Sequence, residues 1–168
     1  MEHHLVDRRE RSVNAYLIIK WAHIISSTVL FGTGAGIAFF FVRAQRTRDV
    51  RVIAAVSRDV VLADMLFTAV AVVTQPVTGF ALMWLAGYSW SLRWLQLSAL
   101  LYVLIGCCWL PVVWLQIRMR DLAIVAASNN APLGPVYQRY YKLWFALGWP
   151  AFIGVLAVFY LMVAKPAL

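Results

Sequence analysis

The stretch YLIIKWAHIISSTVLFGTGAGIAFFFV, residues 16–42, decides the fold class of this chain. Lys20 and His23 are its only basic residues, and the run exceeds the about 20 mostly apolar residues that a helix needs to cross a bilayer. Similar segments follow at residues 60–87, 94–117 and 143–164. The sequence therefore predicts an all-α membrane protein with four transmembrane helices.

The composition agrees with a membrane location. Hydrophobic residues make up 63% of the 168 residues and charged residues 13%, well outside the range of soluble globular proteins. The net charge of +8 does not indicate nucleic-acid binding, because most basic residues lie in two short stretches between apolar segments. We expect the lipid bilayer to be the main partner, with anionic head groups near the arginines, and no nucleic acid.

Short connections predict that successive helices are antiparallel neighbours, so that residues 1–168 form a single up-down four-helix domain. The first connection, residues 43–59, is rich in arginine, and its apolar middle, Val50–Val56, predicts a short interfacial helix. The third, residues 118–142, contains a turn-rich break at residues 128–135. Tryptophans near the predicted helix ends are expected in an aromatic belt: Trp84, Trp90, Trp94, Trp114 and Trp144.

The distribution of Lys and Arg predicts the orientation. The first and third connections hold nine of these residues: Arg43, Arg46, Arg48, Arg51, Arg58, Arg118, Arg120, Arg139 and Lys142. The opposite side holds six: Arg8, Arg9, Arg11, Lys20, Arg93 and Lys165. Because loops with more basic residues stay in the cytoplasm, both termini are predicted to lie outside it. The membrane is predicted to be the cytoplasmic (inner) membrane of a bacterium.

Polar and small residues share one face of each of the first two helices, and such faces are expected to point into the bundle. They are Lys20, His23, Ser27, Gly34 and Ala38 on the first helix, and Asp64, Thr68, Gln75 and Gly79 on the second. His23 lies roughly 10 Å below the outer end of its helix, a level that Gln75 and Tyr102 share. Convergence of these three is therefore expected, with Asp64 about 6 Å from the cytoplasmic boundary.

These polar residues each have a structural and a functional interpretation. His23 is either hydrogen-bonded to Gln75 or a serine hydroxyl, or a haem or other metal ligand, or part of a proton relay. Asp64 either pairs with Arg58 or another cytoplasmic-side arginine, or bonds to a hydroxyl group inside the bundle. Gln75, next to Pro76, can satisfy carbonyl groups that the proline leaves free.

The chain resembles the bacterial family of predicted integral membrane proteins known as domain of unknown function 2269. The resemblance covers most of the chain and brings no assigned activity. The stretches that carry it are residues 16–43 with Lys20 and His23, Ala63-Asp64, Gln75-Pro76 with Gly79, Trp94-Leu95, Trp109-Leu110-Pro111 and the ending Tyr160 to Pro166.

A more distant resemblance links residues 15–25 to the first helix of HemJ-type protoporphyrinogen oxidases and CopD-like membrane proteins. HemJ-type proteins are four-helix bundles that bind haem b, and the resemblance implies a haem-ligand role for His23. Lys20, one turn away, is then expected to contact a haem propionate. The HemJ-type pattern opens its third helix with Trp-Leu-His-x-Lys, whereas this chain has Gln96 and Ser98 at the His and Lys positions. Protoporphyrinogen oxidation by that route is therefore not expected.

Three functions follow from these observations. The first is a haem b protein in electron transfer or porphyrin redox chemistry. The second is a non-enzymatic accessory or structural subunit of a membrane complex or homodimer. The third is a small metal transporter, disfavoured because Met, Cys and His ligands are few and scattered. Soluble-enzyme signatures are missing, and whether the protein is an enzyme stays open.

Overall fold

Four long helices make up the computed structural model, which describes residues 2–166 and the side chains of residue 10 and residues 12–166. The helices are α1 (Glu2–Thr47), α2 (Val50–Leu85), α3 (Arg93–Ser128) and α4 (Pro135–Ala164). Each is long and apolar enough to cross a membrane, and residues 2–166 contain no strand. The predicted all-α, four-helix membrane fold is confirmed.

The helices extend well beyond the predicted spans, most clearly at the first connection. Only Arg48 and Asp49 separate α1 from α2, and the Asp49 carboxylate accepts the backbone N–H of Arg51 at 2.8 Å and so caps α2. The predicted separate interfacial helix at Val50–Val56 is wrong, because these residues form the first turns of α2. They stay helical because one apolar face, with Ile53 and Ala54, is buried against the other helices.

The third connection is also shorter than predicted. α3 continues to Ser128, so that its last turns carry Arg118 and Arg120, and a six-residue turn separates it from α4. Pro135 begins α4, where its missing N–H has no helical partner to lose. The break predicted at residues 128–135 is therefore confirmed, whereas the rest of the predicted connection is helical.

Two hydrogen bonds define the ends of the bundle. Arg51 Nη2 donates to Asn130 Oδ1 at 2.8 Å, which joins the start of α2 to the turn between α3 and α4 at the arginine-rich end. Lys165 Nζ donates to the Tyr88 hydroxyl at 2.8 Å, which joins the end of α4 to the connection between α2 and α3, residues 86–92, at the opposite end, the Lys165 end. The helices therefore run alternately up and down.

The packed core lies in the half nearer the arginine-rich end. Phe41, Met119 and Tyr137 are almost completely buried there, and the rings of Phe41 and Trp144 are in edge contact at 5.0 Å. α2 approaches α3 closely through Val50–Ala63, and α1 touches α4 at only a few positions. Towards the Lys165 end the bundle consists of two pairs, α1 with α2 and α3 with α4, and a cavity lies between them.

The predicted aromatic belt is only partly present. Trp84, Trp90 and Trp114 are exposed on the outer surface, as a belt requires. Trp144 and Trp94 are buried, and their placement in the belt is wrong. The helix begins at Pro135, more than two turns before Trp144, so Trp144 lies within the bundle rather than at its end. Its ring is part of the packed core.

Candidate functional site

A cavity of about 400 Å³ lies between all four helices. Its walls are mainly apolar, with aromatic rings such as Phe31, Trp149 and Phe159, while polar side chains occur at only a few positions. An added Cβ at the lining glycines Gly34 or Gly106 would meet no neighbouring atom within 4 Å, so the backbone itself borders open space there. A pocket of this size and character suits a small, largely apolar molecule.

One wall of the cavity carries a buried carboxylate. Asp64 is 3% exposed, and its Oδ1 accepts from Trp109 Nε1 at 3.5 Å. With the Gln116 amide oriented to satisfy its neighbours, Nε2 donates to Asp64 Oδ2 at 2.9 Å and Oε1 accepts from Trp144 Nε1 at 3.3 Å. Asp64, Thr68, Trp109, Gln116 and Trp144 are called the carboxylate cluster below.

Thr68 is the incomplete member of the carboxylate cluster. Its side chain is 5% exposed, lines the cavity and lies beside the Asp64 carboxylate. Nevertheless, Oγ1 makes no hydrogen bond of good geometry with any residue that the structure describes. Buried polar groups in native proteins nearly always have a partner, so an orphaned hydroxyl at a cavity wall points to a missing one.

A π-helical turn, Asp64–Thr68, presents this wall to the cavity. It closes with the backbone N–H of Ala69 donating to the carbonyl of Asp64, one residue further than in an α-helix. Both end residues of the turn are buried and line the same cavity. Such wide turns occur frequently at functional sites.

A second polar group joins α1 to α2 beside the cavity. His23 is partly buried, and its Nδ1 lies 2.7 Å from Thr78 Oγ1. The Thr78 hydroxyl also lies 2.7 Å from the Thr74 carbonyl and 3.2 Å from the Gln75 carbonyl. When it donates its single proton to one of these carbonyls, it accepts from the imidazole, and the ring proton is then on Nδ1 and the lone pair on Nε2.

The residues predicted to converge with His23 are only partly brought together. Gln75 Nε2 donates to the His23 backbone carbonyl at 2.8 Å, not to the imidazole. The Tyr102 hydroxyl donates to the carbonyl of Val72 and not to the imidazole. Gln75 and Tyr102 line the cavity, whereas His23 does not. Lys20 is exposed, with Nζ 5.7 Å from the centre of the Tyr16 ring.

Asp64 has one of the two neighbours that sequence reasoning suggested: the Thr68 hydroxyl lies beside its carboxylate inside the bundle. It faces the interior, but the basic partner considered for it is not found among residues 12–166, where its hydrogen bonds are to Trp109 and Gln116. Gln116, Trp144 and Thr78 were not singled out as partners from the sequence. The amide of Gln116 in an apolar segment was the available signal. Among the described residues, no three His, Cys, Asp or Glu side chains are grouped as a metal site would require.

Four membrane-length helices around an internal cavity define this molecule as an integral membrane bundle protein. More specifically, the chain belongs to the family described as "Predicted integral membrane protein (DUF2269)", which matches residues 17–166. The match includes the carboxylate cluster, the cavity and His23. No curated protein and no solved structure matches the chain.

Proposed function

We propose that this protein binds a membrane-dissolved small molecule in the central cavity. The apolar part of the ligand occupies the space between the helices, and its polar group meets the carboxylate cluster. The observation that carries the proposal is the Thr68 hydroxyl, which is buried at the wall of a cavity of about 400 Å³ without a hydrogen-bond partner. A ligand group would supply that partner.

The composition of the cavity wall supports the same function. Ligand sites combine many apolar contacts with a few polar groups that fix orientation, and this cavity has that composition. An ionisable side chain within a membrane span is expensive to bury and generally serves a function.

Filling the cavity tests this function. We would measure binding of 1-aminoadamantane and 1-hydroxyadamantane by equilibrium dialysis, with the protein in phospholipid nanodiscs and empty nanodiscs as background. Gly34→Leu places a side chain in the cavity, whereas Gly32→Leu changes the same helix outside the cavity lining. Specific binding that survives Gly32→Leu and disappears in Gly34→Leu supports the function. Failure of both probes to bind above background would refute it.

A second candidate, haem b ligated by His23, is favoured by the tautomer with the proton on Nδ1. Histidines that bind metals generally donate the second ring N–H to a neighbouring group, as His23 does to Thr78. The free Nε2 would then hold the haem iron, and the exposed Lys20 one turn away would hold a propionate. Bound haem would supply one-electron redox chemistry. Since His23 does not line the cavity, this haem would be held outside it, a position compatible with sharing between two copies of the chain.

A Soret absorbance of the purified protein tests the second candidate. The protein would be expressed with added δ-aminolaevulinic acid so that haem supply does not limit loading. A Soret band that disappears in His23→Ala supports ligation by this residue. Absence of the band in the wild-type protein would refute it, while leaving the cavity proposal unaffected.

A further inference from the structure

The charge of Asp64 is not balanced by the protein around it. Its described hydrogen-bond partners, Trp109 and Gln116, are both neutral. Among the described residues, the side chains that line the cavity include no Lys, Arg or His. A buried carboxylate within a membrane span is costly to keep ionised without a counter-charge. An ionised Asp64 therefore needs a counter-charge, and a cation that enters the cavity can supply it.

Free acceptor positions outnumber free donors in the carboxylate cluster. A carboxylate has about four lone-pair positions, and the described residues use one on each Asp64 oxygen. Thr68 Oγ1 beside it accepts no hydrogen bond from the described residues. An ammonium group carries donors only, and so complements this pair. An anionic head group would instead be repelled by Asp64.

Aromatic rings next to the carboxylate suit the apolar body of a ligand. Trp109 and Trp144 belong to the cluster and line the cavity, and Phe145 and Trp149 continue the wall on α4. The same rings provide the apolar contact surface for a hydrocarbon body.

The cavity opens sideways between α1 and α4. Gly34 and Ala38 on α1, and Phe145 and Trp149 on α4, line the cavity and are also exposed on the outer surface of the chain. The stacked rings of Phe31 and Phe152, with centres 5.2 Å apart, bridge the two helices beside this opening. In a membrane protein such an opening faces lipid, so a molecule that partitions into the bilayer can reach Asp64 without crossing water.

From these observations we infer that the ligand is a lipophilic amine, bound as its ammonium form with the nitrogen between Asp64 and Thr68. This inference rests on the proposed function and specifies its ligand class. Asp64 acts as the counter-ion, Thr68 as an additional acceptor and the tryptophans as the apolar wall.

A charge series on one hydrocarbon cage tests the inference. 1-Aminoadamantane, 1-hydroxyadamantane and 1-adamantanecarboxylate have the same body and differ in head-group charge. Binding to the protein in nanodiscs, corrected for partition into empty nanodiscs, should be about tenfold to about a hundredfold tighter for the amine than for the alcohol. The carboxylate should be the weakest. Equal affinity of the amine and the alcohol would overturn the amine assignment while leaving the cavity function intact.

Two variants locate the discrimination. Asp64→Asn keeps the shape of the side chain and should bring the amine down to the affinity of the alcohol, whereas Asp59→Asn, at an exposed position of α2, should change neither. Thr68→Val should weaken binding of the amine severalfold. This variant provides the test if Asp64→Asn does not fold. A preference for the amine that persists in a folded Asp64→Asn protein, or a Thr68→Val protein with unchanged amine binding, would contradict the inference. Loss of binding of all three probes to the wild type would instead refute the cavity function itself.

Discussion

Tyr102 on α3 donates its hydroxyl proton to the carbonyl of Val72 on α2, the carbonyl that Pro76 leaves without a helical partner. Proline has no N–H to bond the residue four positions earlier, and a bare carbonyl within a membrane is expensive. The tyrosine therefore repairs the helix and at the same time bridges the gap between the two helix pairs.

Removing this hydroxyl should destabilise the protein only while the proline is present. We expect Tyr102→Phe to lower the free energy of unfolding by about 1 kcal/mol. Pro76→Ala restores an N–H for the Val72 carbonyl, so Tyr102→Phe should be nearly neutral in that background. Thermal unfolding in detergent of the wild type, Tyr102→Phe, Pro76→Ala and the double variant gives the coupling free energy between the two residues. Equal effects of Tyr102→Phe in both backgrounds would show that the hydroxyl acts in some other way.

Thr68→Val should leave the ligand-free protein as stable as the wild type or more stable. The substitution removes a buried hydroxyl that has no partner and keeps a similar shape. The comparison is the unfolding temperature in detergent without added ligand, with Ser57→Ala as the control. The buried Ser57 hydroxyl donates to the carbonyl of Ile53, so its removal should not stabilise. A clear loss of stability in Thr68→Val would mean that the free protein already satisfies this hydroxyl.

Asp64→Leu should lower stability, because it leaves the Trp109 ring N–H and the Gln116 amide without an acceptor. Each unsatisfied buried group costs about 1–3 kcal/mol. Asp64→Asn retains an acceptor oxygen and should lose less. Unfolding in detergent, with Asp59→Leu at an exposed position as the control, measures the difference. An Asp64→Leu protein as stable as the control would show that the hydrogen bonds of the carboxylate cluster do not stabilise the fold.

If haem is bound, the Soret absorbance should depend on His23 and its hydrogen-bond partner. His23→Ala should abolish the band and Lys20→Met should only weaken haem retention. Thr78→Val removes the acceptor of the Nδ1 proton and should weaken haem affinity by about tenfold to about a hundredfold. Thr74→Val is a matched control, since its hydroxyl donates to Val70 and not to the imidazole. An unchanged spectrum in His23→Ala would exclude His23 as the ligand.

The topology prediction concerns the two ends of the bundle. The arginine-rich end should face the cytoplasm, because it holds nine of the fifteen Lys and Arg residues. Reporter fusions after Asn129 and after Leu168 test this. Cytoplasmic reporter activity is expected at Asn129 and an external signal at Leu168. Cytoplasmic activity at Leu168 would invert the orientation.

The helices and their order could be predicted from the sequence, because both depend on local properties. Residues 16–42 are apolar over a length that crosses a bilayer wherever the neighbouring helices lie. The turn-rich residues 128–135 interrupt a helix because of their own backbone preferences. Helix ends were less predictable. Val50–Val56 continues α2 only because the packing of Ile53 and Ala54 stabilises turns that the local sequence leaves ambiguous.

The partners within the bundle were decided only by the tertiary structure. Asp64 meets Gln116 and Trp109 because of the relative rotation and depth of α2 and α3, and the π-helical turn changes that rotation by an amount that periodicity does not report. His23 bonds to Thr78 rather than to the Gln75 side chain for the same kind of reason, since Gln75 reaches the His23 backbone instead. The cavity arises where the two helix pairs separate, and separation is a property of four packed helices rather than of any one segment.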